Sequence, residues 1–174
     1  MDVRFVAPDL RKLDLLDAEA IAVSVHSDER PLRGATGLLD WRLSGRFSRL
    51  LVRGRLTGRE GERLLVPTGG RLAFDKIVLV GAGPSAALDR THAQRTIRVM
   101  LEILDGLRIR RAALALPGRT WELLGATDAM DVLAPMILEP HEQDAISIVD
   151  HPDEHRAMQR ALESARRRHR ADAG

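Results

Sequence analysis

The chain has no cysteine and no tyrosine. The first absence excludes a disulfide framework, thiolate chemistry and Cys-ligated zinc. Aromatic residues make up only 3%, too few for an extended base-stacking platform. Lysine occurs twice, at Lys12 and Lys76. No apolar run is long enough to span a bilayer, and Met1-Asp2-Val3-Arg4 does not open a signal peptide. These features predict a cytoplasmic location and no membrane contact. With 44% hydrophobic and 30% charged residues in 174, the composition is that of a globular chain with a full core, the size of one domain.

The scarcity of lysine, tyrosine and cysteine also explains a pI of about 9.8 beside a formal charge of only +2. Few groups titrate between neutrality and arginine, so a small arginine excess drives the pI upward. The dense basic run is Arg166, Arg167, Arg168, His169 and Arg170. It reads first as a solvated helix end, where cations also suit the helix dipole. Nucleic-acid binding through Arg166, Arg167, Arg168 and Arg170 is the alternative, and it predicts steep salt dependence.

Lys76-Ile77-Val78-Leu79-Val80 is an unbroken apolar run that stops at Gly81-Ala82-Gly83-Pro84. It predicts a strand buried on both faces with a sharp exit. Ala93, Ile97, Met100, Leu101 and Leu104 then fall on one helical stripe, with Asp89 a natural N-cap. Further strands are predicted at Val3 to Ala7, Ala20 to Val25, Arg63 to Pro67, Ala112 to Leu116 and Ala145 to Val149. Helices are predicted from Gly34 to Val52, broken near Ser44-Gly45, and from Trp121 to Leu138 as one or two pieces around Pro135. A basic C-terminal helix spans 153–170, and residues 171–174 are expected to fray. Trp41 and Trp121 read as packing residues. Strands and helices alternate, so the fold class is α/β, with a mixed, mostly parallel sheet and helices on both faces.

Gly81-Ala82-Gly83-Pro84-Ser85-Ala86 matches a Gly-x-Gly-x-x-Ala dinucleotide fingerprint. The next strand ends Leu116-Pro117-Gly118 without the acid that would hold a ribose, so the glycines read better as a tight strand exit. His151 and His155 stand at a metal-binding spacing but lack the His-Glu-x-x-His order, and they read as a solvent-facing first turn. His26 and His141 read as isolated loop residues without partners. No nucleophile elbow and no P-loop occur. Neither a catalytic residue, nor a metal site, nor a cofactor is predicted.

Several pieces in order carry a resemblance: a strand like Ala20 to Val25, Pro31-Leu32-x-Gly34 opening a helix and Phe47-Ser48-Arg49-Leu50-Leu51 closing it. Gly58-x-x-Gly61-Glu62, Leu65-Val66-Pro67 and Lys76 to Gly81 follow. Together they resemble the N-terminal domain of the leucyl aminopeptidase family, over most of the first 120 residues. The resemblance implies a macro-domain-like, three-layer fold. The strand before Asp150 and the helix through Leu162 are similar to the ending of macro domains, which implies one complete domain over 1–174. The family's two-metal chemistry sits in a separate C-terminal domain around an Asn-Thr-Asp-Ala-Glu-Gly-Arg signature, which is absent here. The expectation is therefore a non-catalytic relative serving assembly or regulation, as a homo-oligomer or docked on a catalytic aminopeptidase. The alternative is a macro-type domain binding ADP-ribose or another nucleotide in a cleft. Its candidate residues are Arg33, Gly34, Gly37, Gly81, Gly83, Pro117, Gly118 and Arg119.

Overall fold

In the computed structural model, which describes residues 1–172, a six-stranded sheet is built from β1 (Asp2–Val6), β2 (Ala20–His26), β3 (Arg63–Pro67), β4 (Lys76–Gly83), β5 (Arg111–Ala115) and β6 (Ala145–Val149). The spatial order is β1-β6-β5-β2-β4-β3. Every pairing is parallel except β3 with β4, which runs antiparallel. Six α-helices complete the fold: α1 (Leu10–Asp14), α2 (Gly34–Arg42), α3 (Arg46–Val52), α4 (Arg90–Gly106), α5 (Ala126–Leu138) and α6 (His155–Asp172).

The central strands show why the chain takes three layers. Side chains alternate across a strand. In β2, Ala20 and Ala22 enter one core while Ile21, Val23 and Val25 enter the other. In β4, Val78 and Val80 face the first and Ile77 and Leu79 the second. Both strands are therefore near-continuous apolar runs, with Ser24 and His26 the polar residues of β2 and Lys76 opening β4, as parallel strands covered on both faces require. The stripe of α4 (Ala93, Ile97, Met100, Leu101, Leu104) packs with α5 and α6 on the first face, and all five residues are buried. Leu13, Leu39 and Phe47 of α1, α2 and α3 fill the second.

Three local expectations are corrected, and one short helix is added. Residues 121–125 form turns and α5 starts at Ala126, so Leu123 is exposed while Leu124 is buried. Pro135 sits inside one continuous α5; its missing N–H falls in the last turn and breaks nothing further on. The charged stretch around Asp14 contains α1, capped by Asp9, whose carboxylate accepts the Lys12 N–H. Trp41 does not pack inside: it is 68% exposed. Asp89 does cap α4, accepting the His92 N–H at 2.8 Å. Helix α6 continues through Asp172; of the expected frayed end, residues 173 and 174 lie outside the described residues.

Candidate functional site

The parallel strands β1, β6 and β5 end on one side of the sheet, where α2 begins. A cleft of about 610 Å³ opens there, lined by Pro8 after β1, Ala115 and Leu116 at the end of β5, Val149 and Asp150 at the end of β6, and Arg33, Gly34 and Ala35 at the start of α2. Open α/β sheets place ligands at the carboxyl ends of their strands, because the loops diverge there.

Two differently built polar groups sit in this region. The first is an ion pair. Arg119 donates from Nε to Asp150 Oδ2 at 2.8 Å and from a terminal nitrogen to Asp150 Oδ1 at 3.2 Å. A third bond reaches the Leu124 carbonyl at 2.7 Å. The Arg119 and Asp150 side chains are 11% and 5% exposed, and Asp150 also accepts the His151 N–H. Arg119 therefore ties the 117–125 turns to the end of β6, and its charge is neutralised within the chain.

The second group is incomplete. A small inner pocket of about 20 Å³ is lined by Ser24, His26, Glu29, Thr36, Gly118 and Trp121 among others, and it shares Ala35, Ala115, Leu116 and Thr120 with the cleft. His26, ending β2, is 2% exposed. Its Nδ1 lies 3.1 Å from the Gly83 carbonyl, an acceptor, so Nδ1 carries the proton and Nε2 is left as an acceptor in the neutral ring. His26 Nε2 and Trp121 Nε1 are both buried and both without a partner in the protein. Such groups are uncommon because burial without a hydrogen bond costs about 1–3 kcal/mol. Glu29, also buried, accepts the backbone N–H groups of His26 and Arg33. The Arg33 guanidinium lies 4.5 Å from the centre of the Trp121 ring.

Of the eight residues singled out from sequence, the cleft gathers Arg33, Gly34 and Arg119, and the inner pocket takes Gly118. The other four line neither. Gly37 lies against the Leu32 carbonyl, 2.6 Å from where a Cβ would stand, and a Cβ on Gly81 would meet the Arg59 carbonyl at 1.9 Å. Gly83 has φ +72, and its carbonyl accepts from His26 and Ser27. Pro117 is buried beside the pocket. His26, Trp121 and Asp150 escaped the sequence reading. The available signal was position, since His26 ends a parallel strand on the side where ligands collect. Nor is His141 isolated: its ring nitrogens lie 2.8 Å from Asp105 Oδ2 and 2.8 Å from the Met136 carbonyl. His155 and His151 do not form a pair, since His155 Nε2 bonds the Asp150 carbonyl and His151 faces Asp153.

The family model described as the cytosol aminopeptidase family, N-terminal domain, matches residues 22–134. The chain belongs to this family. A probable cytosol aminopeptidase of Pseudomonas syringae pv. tomato is 30% identical over 114 residues, which is 66% of this chain and 22% of the relative. A cytosol aminopeptidase of Pseudomonas aeruginosa is 32% identical over 97 residues, 56% of this chain and 20% of the relative. The chain thus spans about a fifth of the length of these relatives. Among solved structures, a tomato leucine aminopeptidase mutant aligns over 94% of this chain and 36% of its own, with TM-score 0.62 and 16% identity. A Trypanosoma brucei macrodomain in complex with ADP-ribose gives TM-score 0.72 at 14% identity, covering 92% of this chain and 68% of that one. An Oceanobacillus iheyensis macrodomain with MES bound gives 0.72 at 11%, covering 94% and 92%. These likenesses establish the macro-domain-like fold.

Proposed function

We propose that this member of the family is a non-catalytic binding module whose cleft takes a small polar ligand of the nucleotide-sugar class. The observation that carries this reading is the pair of unpartnered buried atoms in the inner pocket. His26 Nε2 needs a donor and the Trp121 indole N–H needs an acceptor. A hydroxyl is the group that answers both needs, since it can donate to an imidazole and accept from an indole. The rest of such a ligand would lie in the cleft, where the first-turn N–H groups of α2 carry no side-chain cap and Arg33 is exposed. The macrodomain solved with ADP-ribose has the same fold, which supports the choice of class. The acids Glu122, Asp153 and Glu154 on the cleft wall and the neutralised Arg119 weigh toward ligands with few negative charges.

The test is a thermal-shift and calorimetric series with ADP-ribose, ADP and ribose 5-phosphate. A ligand at a hundred times its Kd stabilises the folded state by about 2.7 kcal/mol, a plain rise in Tm. Loss of that rise in His26→Leu and Trp121→Phe supports the reading. No shift with any of the three removes it.

A second reading rests on the free edge of the sheet. Strand β3 has no outer neighbour among the described residues, and Leu65 is 47% exposed on it. An open edge is a template for another chain, and the occupant on this reading is a second copy or a catalytic aminopeptidase. Light scattering of the purified protein, with and without Leu65→Lys, tests it: a monomer in both removes self-association. A cytoplasmic location belongs with either reading; no described helix is long and apolar enough to cross a membrane.

A further inference from the structure

Charge is sorted along this chain. Between Thr120 and His155 nine side chains are acidic and none is Arg or Lys, whereas between Trp41 and Arg59 six are Arg and none is acidic. The two segments dispose of their charge differently. In the acidic one, Asp128 and Asp131 face Arg90, Glu142 and Asp144 face Arg110, and Asp150 and Glu154 face Arg119. In the basic one, only Arg42 meets a carboxylate, that of Asp14, among the described residues. Arg46, Arg49, Arg53, Arg55 and Arg59 are all exposed and enter no ion pair there. Unneutralised like charges held together project a field outward and favour an anionic partner.

The geometry narrows the partner. Arg46 and Arg49 on α3, and Arg53 as its C-cap, recur at helical spacing on the outer side, while Phe47, on the inner side, is fully buried. The three span about 10 Å of helix axis at about 1.5 Å per residue. Arg46 donates one terminal nitrogen to the Pro67 carbonyl and Arg49 one to the Ser44 carbonyl. These bonds hold both guanidinium groups while leaving further N–H donors to solvent. Arg55 follows directly, its N–H on the Leu50 carbonyl, and Arg59, also exposed, ends the segment where its carbonyl meets Gly81 of β4. At its other end Trp41 stands 68% exposed beside a shallow depression formed with Gly37, Asp40, Arg42, Ser44 and Gly45; the Asp40 carboxylate there is buried and taken up by the Phe47 N–H and by Ser48 at the start of α3.

We propose that α3 and the loop to Arg59 form a docking face for single-stranded nucleic acid, with phosphates on the arginines and a base stacked on Trp41. Guanidinium forks match phosphate oxygens two at a time, and an exposed indole offers a sequence-tolerant stacking surface. An anionic membrane fits less well: a membrane-surface helix needs an outward apolar stripe, and the apolar side of α3 is in the core, leaving Val52 alone outside. A second copy of this chain fits less well too, because the carboxylates it would present are largely engaged with its own arginines. The C-terminal basic run is a different surface. There Arg166 bonds the Met1 carbonyl, and Arg168 lies 3.7 Å from Asp131.

The experiment is fluorescence anisotropy of the full chain with a labelled oligothymidine of about twenty nucleotides, its duplex and, as competitors, phosphatidylglycerol vesicles and polyglutamate. Log affinity should fall linearly with log salt, at about −0.7 per phosphate contacted. Arg53→Glu with Arg55→Glu changes two exposed side chains without protein partners, so the fold is kept, and it should weaken binding at least tenfold. Trp41→Ala should weaken the single strand more than the duplex, and the indole fluorescence should be quenched on titration. Arg167→Glu with Arg170→Glu should leave binding unchanged. Absence of salt-dependent binding at low salt, an equal loss from the Arg167/Arg170 variant, or preference for the vesicles or polyglutamate over the oligonucleotide would overturn the proposal.

Discussion

Two buried polar groups lie within one end of the sheet and differ in completeness. Arg119 and Asp150 satisfy one another, the Leu124 carbonyl and the His151 N–H. His26 and Trp121 bury comparable polar atoms and leave one of each unpaired. The first group holds the 117–125 turns against β6 and has no capacity left over. The second keeps one donor and one acceptor that no protein group engages. Burial alone would have treated the two alike. What separates structural from available polarity here is whether every donor and acceptor has been spoken for.

Breaking the complete group should have the larger effect. Asp150→Ala leaves the Arg119 guanidinium nearly buried with only the half-exposed Glu154 carboxylate, 3.9 Å away, as a counter-charge, and a loss of about 3 kcal/mol in urea denaturation is expected. The paired change Arg119→Met with Asp150→Leu removes both charges and should recover most of that loss. Recovery of none would show that the pair's other hydrogen bonds, and not its charge, hold the turns.

A third polar cluster, away from the cleft, mixes the two conditions: the Asp105 carboxylate is fully engaged, while Gln143 Oε1 beside it is buried without a partner in the protein. Burial pushes the Asp105 carboxyl up, but hydrogen bonds from His141, the Glu142 N–H and Gln143 outweigh it and lower its pKa. Because the folded state holds this group below its unfolded pKa, the stability it contributes is full above about pH 4 and is lost as pH falls through the lowered value. Asp105→Asn should cost about 1–2 kcal/mol at neutral pH. Its stability curve should also be flatter than the wild type's below about pH 4, as followed by circular dichroism. A parallel fall in both proteins would exclude Asp105 as a contributor.

What the sequence could disclose of this follows the range of each signal. Strands β2, β4 and β5 were legible because burial on both faces demands unbroken apolar runs, and the stripe of α4 because its period is local. The turns at 121–125 were misread because Trp121, Leu123 and Leu124 have apolar content without a helical period that tertiary packing respects. His26 looked solitary because its partner, the Gly83 carbonyl, is 57 residues away. Asp150 is 31 residues from Arg119 and Asp105 36 from His141. The basic face on α3 was missed for another reason: its arginines are spaced, so no run is visible, and the telling feature is the missing acids among them. Pairing is set by the sheet, and a linear reading shows only which residues could pair.

The smallest change in stability should come from the incomplete group, and that is what would make it diagnostic. Trp121→Phe keeps an aromatic ring under Arg33 and deletes the N–H that has no acceptor. In a structural hydrogen bond such a deletion costs about 1 kcal/mol, whereas removing a donor that is already unsatisfied relieves a desolvation penalty. The expected outcome is a Tm equal to or slightly above the wild type, within about 1 kcal/mol, together with loss of whatever stabilisation the nucleotide series produces. A Tm drop matching a lost hydrogen bond would mean that an ordered water already bridges His26 and Trp121, since the inner pocket, at about 20 Å³, has room for one. In that case the two groups at the sheet end are both complete, and a ligand must displace the water to gain from them.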